Sequence, residues 1–318
     1  MAQLPNYGLV PFQEVGAGIT TVFGTLVPPG SKVTFVRSTG PQDQDPPQIA
    51  AALQLTLDAG LKQCRSGMRD YVFVLPGHTE NVTTATFLSS LVAGTQIIGI
   101  GDPKASNAPK FTWTNTAGSW AISVANVGIF RLRLLCDAAN GITTAFNVTG
   151  SGVTLAGNYI SWAAGAALKS TIGITVGSGA TDFAFRGNYV TGTATHNVTD
   201  GIKVLGATVP SNLVIEDNVM MASATAANGL INVTVAALNC LIRRNVIANT
   251  MTSSTACINI GNVAASGIIS ENYVSTLNDG TVTDQGIVQG AGSLFRAFQN
   301  FSCDEPKKSG TLTPAAGT

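Results

Sequence analysis

"VTLAGNYI" (153–160), "FAFRGNYV" (183–190) and "LVIEDNVM" (213–220) follow one plan: β-prone residues, a small or charged position, an asparagine, then β-prone residues again. The plan recurs in "CLIRRNVI" (240–247), "GIISENYV" (267–274) and "FRAFQNFS" (295–302). It places Asn158, Asn188, Asn218, Asn245, Asn272 and Asn300 at steps of 30, 30, 27, 27 and 28. A second series, in "AFNV", "GITV", "GIKV", "GLINV", "CINI" and "GIVQ", sets Phe146, Ile174, Ile202, Leu230, Ile258 and Ile287 at steps of 28, 28, 28, 28 and 29. Two series with one period imply a coil of fixed circumference.

Helical repeats of this length would show a 3.6-residue period, whereas these units are short alternating runs divided by Gly, Asn and Ser. Leucine-rich repeats are shorter and carry a leucine skeleton that is absent here. A parallel β-helix fits, each turn stacking on the last at roughly 4.8 Å. The column three before each asparagine, Leu155, Phe185, Ile215, Ile242, Ile269 and Ala297, is apolar and is read as pointing inward. The asparagines fall at the following turn, where stacked inward amides would satisfy one another and the turn backbone, a structural ladder.

The series extends backwards more loosely. Ile122 precedes Phe146 by 24 residues, and "TQIIGIG" (95–101) and "YVFVL" (71–75) supply the first turns, so eight or nine coils are expected between residues 67 and 303. Residues 45–66 read as one helix capping the solenoid's open end, with Pro46 and Pro47 at its start. Residues 1–44 read as a β arm, two runs flanking Pro28-Pro29-Gly30. Its apolar side chains, Ile19, Val22, Phe23, Leu26, Val33 and Phe35, have no core of their own and are assigned to partner contact. Residues 304–318, polar and Pro/Gly-containing, read as a flexible tail.

Lys+Arg and Asp+Glu both number 17 and charged residues make up 11% of the 318, so no basic stripe is present for nucleic acid. No apolar run reaches membrane-spanning length, and the N-terminus lacks a signal-peptide pattern, which places synthesis in the cytoplasm. Five scattered cysteines form no CxxC or metal-ligand spacing, and neither a metal nor a cofactor is expected.

Glycoside hydrolysis on a solenoid needs two carboxylates in one column on neighbouring coils or in adjacent columns, and a lyase needs carboxylate-bound Ca²⁺ or a poised base. The columns two and one before the asparagines instead alternate in sign: Arg186, Glu216 and Arg243 in one, Asp217, Arg244 and Glu271 in the other. These are read as charge ladders. Asp182 heads a neutral column through Asn212 and Asn239, and Asp200 is placed beside Asn228. His78, after the Pro76-Gly77 turn, is expected to be exposed and to bond Glu80 locally, far from His196. No catalytic residue is assigned. The column four before each asparagine, Thr154, Ala184, Val214, Leu241 and Ile268, is expected to face outward and, being aliphatic from Val214 onward, to be covered by other subunits of a trimer.

The arm "GTLVPPGSKVTFVRSTG" (24–40), "LKQCRSGMRD" (61–70), "YVFVLPGHTENV" (71–82) and "IGIGDPKASNAPKFTWTNTAGSWAISVANVGIFRLRL" (98–134) together resemble right-handed parallel β-helix virion proteins of tailed phages and prophages, of pectate-lyase-like architecture. The resemblance covers residues 18–160 by motif and the remainder by repeat pattern. It brings no catalytic residues. It implies a virion component; together with the balanced low charge, the missing acid pairs, the absent signal pattern and the unpartnered β arm, the expectation is a structural virion protein, a capsid decoration or cement protein on the outer head surface, made in the host bacterial cytoplasm and bound to the major capsid protein. The alternative is a tailspike or fibre that binds, and in an enzymatic form cleaves, surface polysaccharide.

Overall fold

The computed structural model describes residues 12–14, 20–42, 45, 47–136, 141–162, 170–192, 198–206, 210–224, 228–250, 256–262, 264–276 and 286–302. The chain is an all-parallel β-solenoid whose turns each contribute one strand to three sheets of eleven, nine and seven strands. Coil after coil, the path runs through a strand of the seven-stranded sheet (Ile142–Val148), one of the eleven-stranded sheet (Thr154–Ala156) and one of the nine-stranded sheet (Tyr159–Ser161). The seven-stranded sheet completes each turn, so there are seven full coils rather than eight or nine.

The repeat register holds along the asparagine series: Leu155, Phe185, Ile215, Ile242, Ile269 and Ala297 are successive partners. All but the half-buried Ala297 lie inside the coil. The second series slips at two places. Ile231, not Leu230, pairs with Ile202 and Ile258, because an extra residue enters that coil and both apolar side chains are buried. Trp120, not Ile122, faces Phe146, a step of 26. Trp113, Trp120 and Phe146 then fill the interior with ring centroids 5.1–5.7 Å apart.

The solenoid begins earlier than residue 67. Val33–Val36 pairs in parallel with Tyr71–Val74 and is a full member of the eleven-stranded sheet. Nor is 45–66 one helix. It splits into Pro47–Ala52 and Leu57–Leu61, separated by Leu53–Gln54, which pairs with Phe35 and Val36. The N–H of Arg37 bonds the carbonyl of Gln54 there, so sheet pairing outcompetes continued helix. The second helix plugs the core: Leu57 and Leu61 are fully buried, and a Cβ on Gly60 would lie 2.7 Å from a Val36 methyl. The Thr56 side chain accepts from the Ala59 N–H and the Glu80 carboxylate from the Leu57 N–H, so the cap and the first coil hold this helix jointly.

The arm is a three-stranded antiparallel meander, Phe12–Glu14, Thr20–Val22 and Thr25–Val27. Its tight turn is Phe23-Gly24, both with positive φ, the two-residue geometry that suits strand twist. Pro28-Pro29-Gly30 instead links the meander to the first solenoid strand. Residues 304–318 lie outside the described residues.

Candidate functional site

Six asparagines form the most ordered polar feature. The Asn218 amide nitrogen donates to the Phe185 carbonyl (2.9 Å) and to Asn245 Oδ1 (2.8 Å). Its own Oδ1 accepts from the Asn188 backbone N–H (2.9 Å) and side chain (3.2 Å). The pattern repeats from Asn158 through Asn188, Asn245 and Asn272 to Asn300. At the lower end the Leu132 N–H bonds Asn158 Oδ1, so a leucine occupies the place where the amide series starts. The five asparagines before Asn300 are at most 1% exposed.

The residue before each asparagine adopts the left-handed conformation: Gly157, Gly187, Asp217, Arg244, Glu271 and Gln299 have φ between 51° and 64°. That turns the chain sharply enough to aim the next side chain inward. It also throws the preceding side chain outward, where the charge ladder sits. Glu216 is reached by Arg186 (3.1 Å), Arg243 (2.7 Å) and Arg244 (3.2 Å), and Asp217 by Arg244 (2.7 Å). The Arg244 hydrogen bond holds the Asp217 carboxyl below its ordinary range. Glu271 lies one coil further on and acts on Arg244 through its charge. Glu216 and Asp217 are adjacent acids, each engaged by arginine, which is a geometry for cross-coil ion pairing.

A second amide column stands at another corner. Asn212 donates to Asp182 (2.9 Å) and Asn239 to Asn212 (3.2 Å), with all three residues left-handed. Asp200 does not meet Asn228. It is fully buried between Lys203 Nζ (3.0 Å) and the Asn232 amide (2.5 Å), and Asn232 is the register partner of Lys203.

His78 reverses its expected exposure. The ring is fully buried, 5.2 Å from the centre of Phe111, with Nε2 3.2 Å from the Glu80 carboxylate. The Pro76-Gly77 turn folds it under the first coil, and Glu80 then joins it to the capping helix. His196 lies outside the described residues. Asp70, which no sequence signal picked out, is buried and takes Arg65 (2.7 Å) together with the Lys32 and Arg65 N–H groups. Burial opposes its ionisation, but these donors outweigh burial and keep its carboxyl below 3.8.

For Val22, Phe23, Val33 and Phe35 the assignment of the arm to partner contact is overturned. Val22, Phe23 and Phe35 are at most 5% exposed, packed with Tyr71, Phe73, Ile98 and Ile100 on the outer face of the chain's own eleven-stranded sheet. The Phe23 ring sits 6.3 Å from Phe35 and 6.0 Å from Phe73. Val33 is a half-buried solenoid residue packed against the same cluster, because its strand is the sheet's own. Leu26 is exposed, and Ile19 lies outside the described residues. An amphipathic meander beside an apolar sheet face covers that face first, since the two are tethered.

The expected flank is in register but uneven: Thr154, Val214 and Leu241 are half-buried, Ala184 is buried, and Ile268 is exposed. The sequence reading missed a larger column on the nine-stranded sheet: Tyr159, Tyr189, Val219, Val246, Tyr273 and Phe301, one residue after each asparagine. Its aromatic members stack along the axis, at 5.8 Å for Tyr159 on Tyr189 and 5.0 Å for Tyr273 on Phe301.

A groove of about 340 Å³ crosses successive coils near the N-terminal end, lined by Arg69, Gln96, Asn126, Thr154 and several glycines. Among the described residues no cluster of three metal-ligating side chains occurs, and no helix is long and apolar enough to cross a membrane. Cys136, Cys240 and Cys257 are buried, the Cys257 thiol bonds the Ile247 and Ser275 carbonyls, and burial raises Cys240 to about 12. No protein-family model matches the chain, and no curated protein matches it.

Proposed function

We propose that this chain is a structural virion protein of a tailed phage, seated as a decoration protein on the outer surface of the head. The observation that carries the reading is the ordered set of segments at 24–40, 61–70, 71–82 and 98–134, which resembles virion β-helix proteins. The geometry of those segments supports it. They form the meander, the plug and the first coils, a rigid start from which a rod of uniform cross-section grows. The balanced charge and the arginine-engaged acids favour a protein that presents surface over one that turns over substrate.

The meander is spent on its own sheet, so contact with the major capsid protein falls to the outer faces of the coils. On the order of 1,000 Å² buried per copy would add cohesion to a shell through its many symmetric repeats. Counting copies per purified particle by quantitative mass spectrometry tests the reading. Hundreds per particle, near the number of capsid subunits or capsomers, are expected; a few tens or fewer would move the protein to the tail.

A second reading, a tailspike or fibre that binds surface polysaccharide, is favoured by the groove. Arg69, Asn126 and Thr154 offer it a cation, an amide and a hydroxyl across neighbouring coils. Low copy number together with loss of glycan binding in Arg69→Ala would select this reading over the first.

A further inference from the structure

Eight of the eleven large hydrophobic side chains that stay exposed among the described residues lie between Met221 and Phe301. The N-terminal coils have the same two outer faces, and there the chain covers them itself. The meander lies on the eleven-stranded sheet. On the nine-stranded sheet, Lys104 sits 3.6 Å above the Tyr189 ring and the Ala105 carbonyl accepts from Arg133 (3.2 Å). No described residue does this for the C-terminal coils. Their eleven-stranded face shows Ile268, Leu294 and Phe298, and their nine-stranded face shows Met221, Val246, Tyr273 and Phe301, each 40–68% exposed.

We propose that these coils bind further copies of the same chain through two different faces, closing a ring of three or more subunits. The two patches flank one edge, the two-residue asparagine turn, and run along the solenoid axis. A two-fold dimer uses a single self-complementary patch, whereas two unlike patches on adjacent faces are what a head-to-tail contact requires, and such contacts form a ring where the rotation between subunits closes and a filament where it does not. At each such contact one subunit gives the three side chains of one face and its neighbour the four of the other, together on the order of 600 Å² of apolar surface at the centre of an interface that buries about 1,600 Å² in all. The ring faces point along the axis in the stacked Tyr273–Phe301 pair, so their edges, not their faces, meet a partner; that suits packing against another sheet better than stacking on sugar. The chain's own residues 304–318 offer Leu312 as their single large aliphatic side chain, a poor cover for two faces. The expected trimer flank thus moves: of Val214, Leu241 and Ile268, Ile268 alone belongs to the patch.

The test uses the full chain and two single variants, Leu294→Lys on one face and Tyr273→Lys on the other, in sedimentation equilibrium at micromolar concentration. Both side chains are exposed, so unchanged circular dichroism and melting are expected for each variant. Wild type should sediment as three or more subunits and each variant as a monomer. An equimolar mixture of the two variants should form a heterodimer, because each retains the patch the other lacks. A wild-type dimer, a wild-type monomer, or a variant that still forms the ring overturns the proposal. So does association that appears in residues 1–302 but not in the full chain, which would identify the tail as the occupant. None of these outcomes depends on whether the particle carries the protein on its head or its tail.

Discussion

From Asn188 onward each ladder asparagine spends its amide completely, two N–H bonds given and two accepted, in a site at most 1% exposed before the last coil. Asn218→Asp therefore sets a carboxylate against the Phe185 carbonyl and Asn245 Oδ1 with nothing to donate. A loss of about 1–3 kcal/mol in denaturant unfolding is expected, with a smaller loss at the half-buried Asn300. Wild-type stability in the Asn218 variant would show that the amide contributes nothing. The asparagine series was legible because its residue type and its spacing repeat together. The left-handed position before it was not, since Gly, Asp, Arg, Glu and Gln all occupy it and only glycine advertises the conformation. Acid sensitivity also belongs to this scale. Lys62 lowers Asp58 and Arg244 lowers Asp217; burial works against Asp70 and Asp45, but Arg65 and Arg37 with backbone donors lower both. A folded value below the ordinary 3.8 means that the unfolded chain takes up protons first as pH falls. The stabilisation is whole above that value and is lost as pH drops through the folded values. Urea midpoints measured from neutral pH to about 3 should fall on the acid side, less steeply in Asp70→Asn.

Among the elements, the meander departs most from what the sequence promised. Its apolar content was plain, but an amphipathic three-stranded unit fits any flat apolar face, and the sequence does not say whose. Proximity decides: Phe23 and Val22 reach Phe35, Phe73 and Ile98 without leaving their own subunit. The turn was misplaced for a related reason. Pro28-Pro29-Gly30 looks like a turn, while Phe23-Gly24 places an aromatic residue at positive φ, a conformation such residues seldom adopt. The strain is offset by the ring's position between two other phenylalanines. Phe23→Ala should cost about 3 kcal/mol and expose the sheet face, read as increased binding of a hydrophobic dye before global unfolding. An unchanged melting curve would mean that the meander is only loosely seated. The divided cap has a similar origin: "DPPQIAAALQLTLDAGLKQC" has helical spacing throughout, yet Leu53 and Gln54 gain a strand partner that no local pattern foretells.

For the whole molecule, the two ends differ. The N-terminal end is sealed by Leu57 and Leu61, while Leu294–Phe298, Phe301–Ser302 and Ile287–Gln289 are the last strands of their sheets among the described residues. A stack held by nearest neighbours opens from its weaker end. Amide exchange in the isolated chain should thus be fastest over residues 286–302 and slowest over 110–160; a uniform rate would argue for one cooperative unit. The solenoid and its inward columns were legible because a period survives substitution of almost every individual residue. The outward apolar faces were not, because whether the chain covers them depends on inserts that belong to other coils. The turns carry a different consequence. Between the eleven- and nine-stranded sheets every asparagine turn is two residues long, whereas the passage from the nine- to the seven-stranded sheet grows from five residues after Cys136 to ten after Thr276. One corner of the coil is a fixed joint, and another is where length is free to change. A foreign peptide placed between Asp279 and Gly280 should be carried without loss of stability, and the same peptide between Asp217 and Asn218 should prevent folding. The molecule is a ruler with one editable margin, ready to display a sequence at regular intervals along a rod.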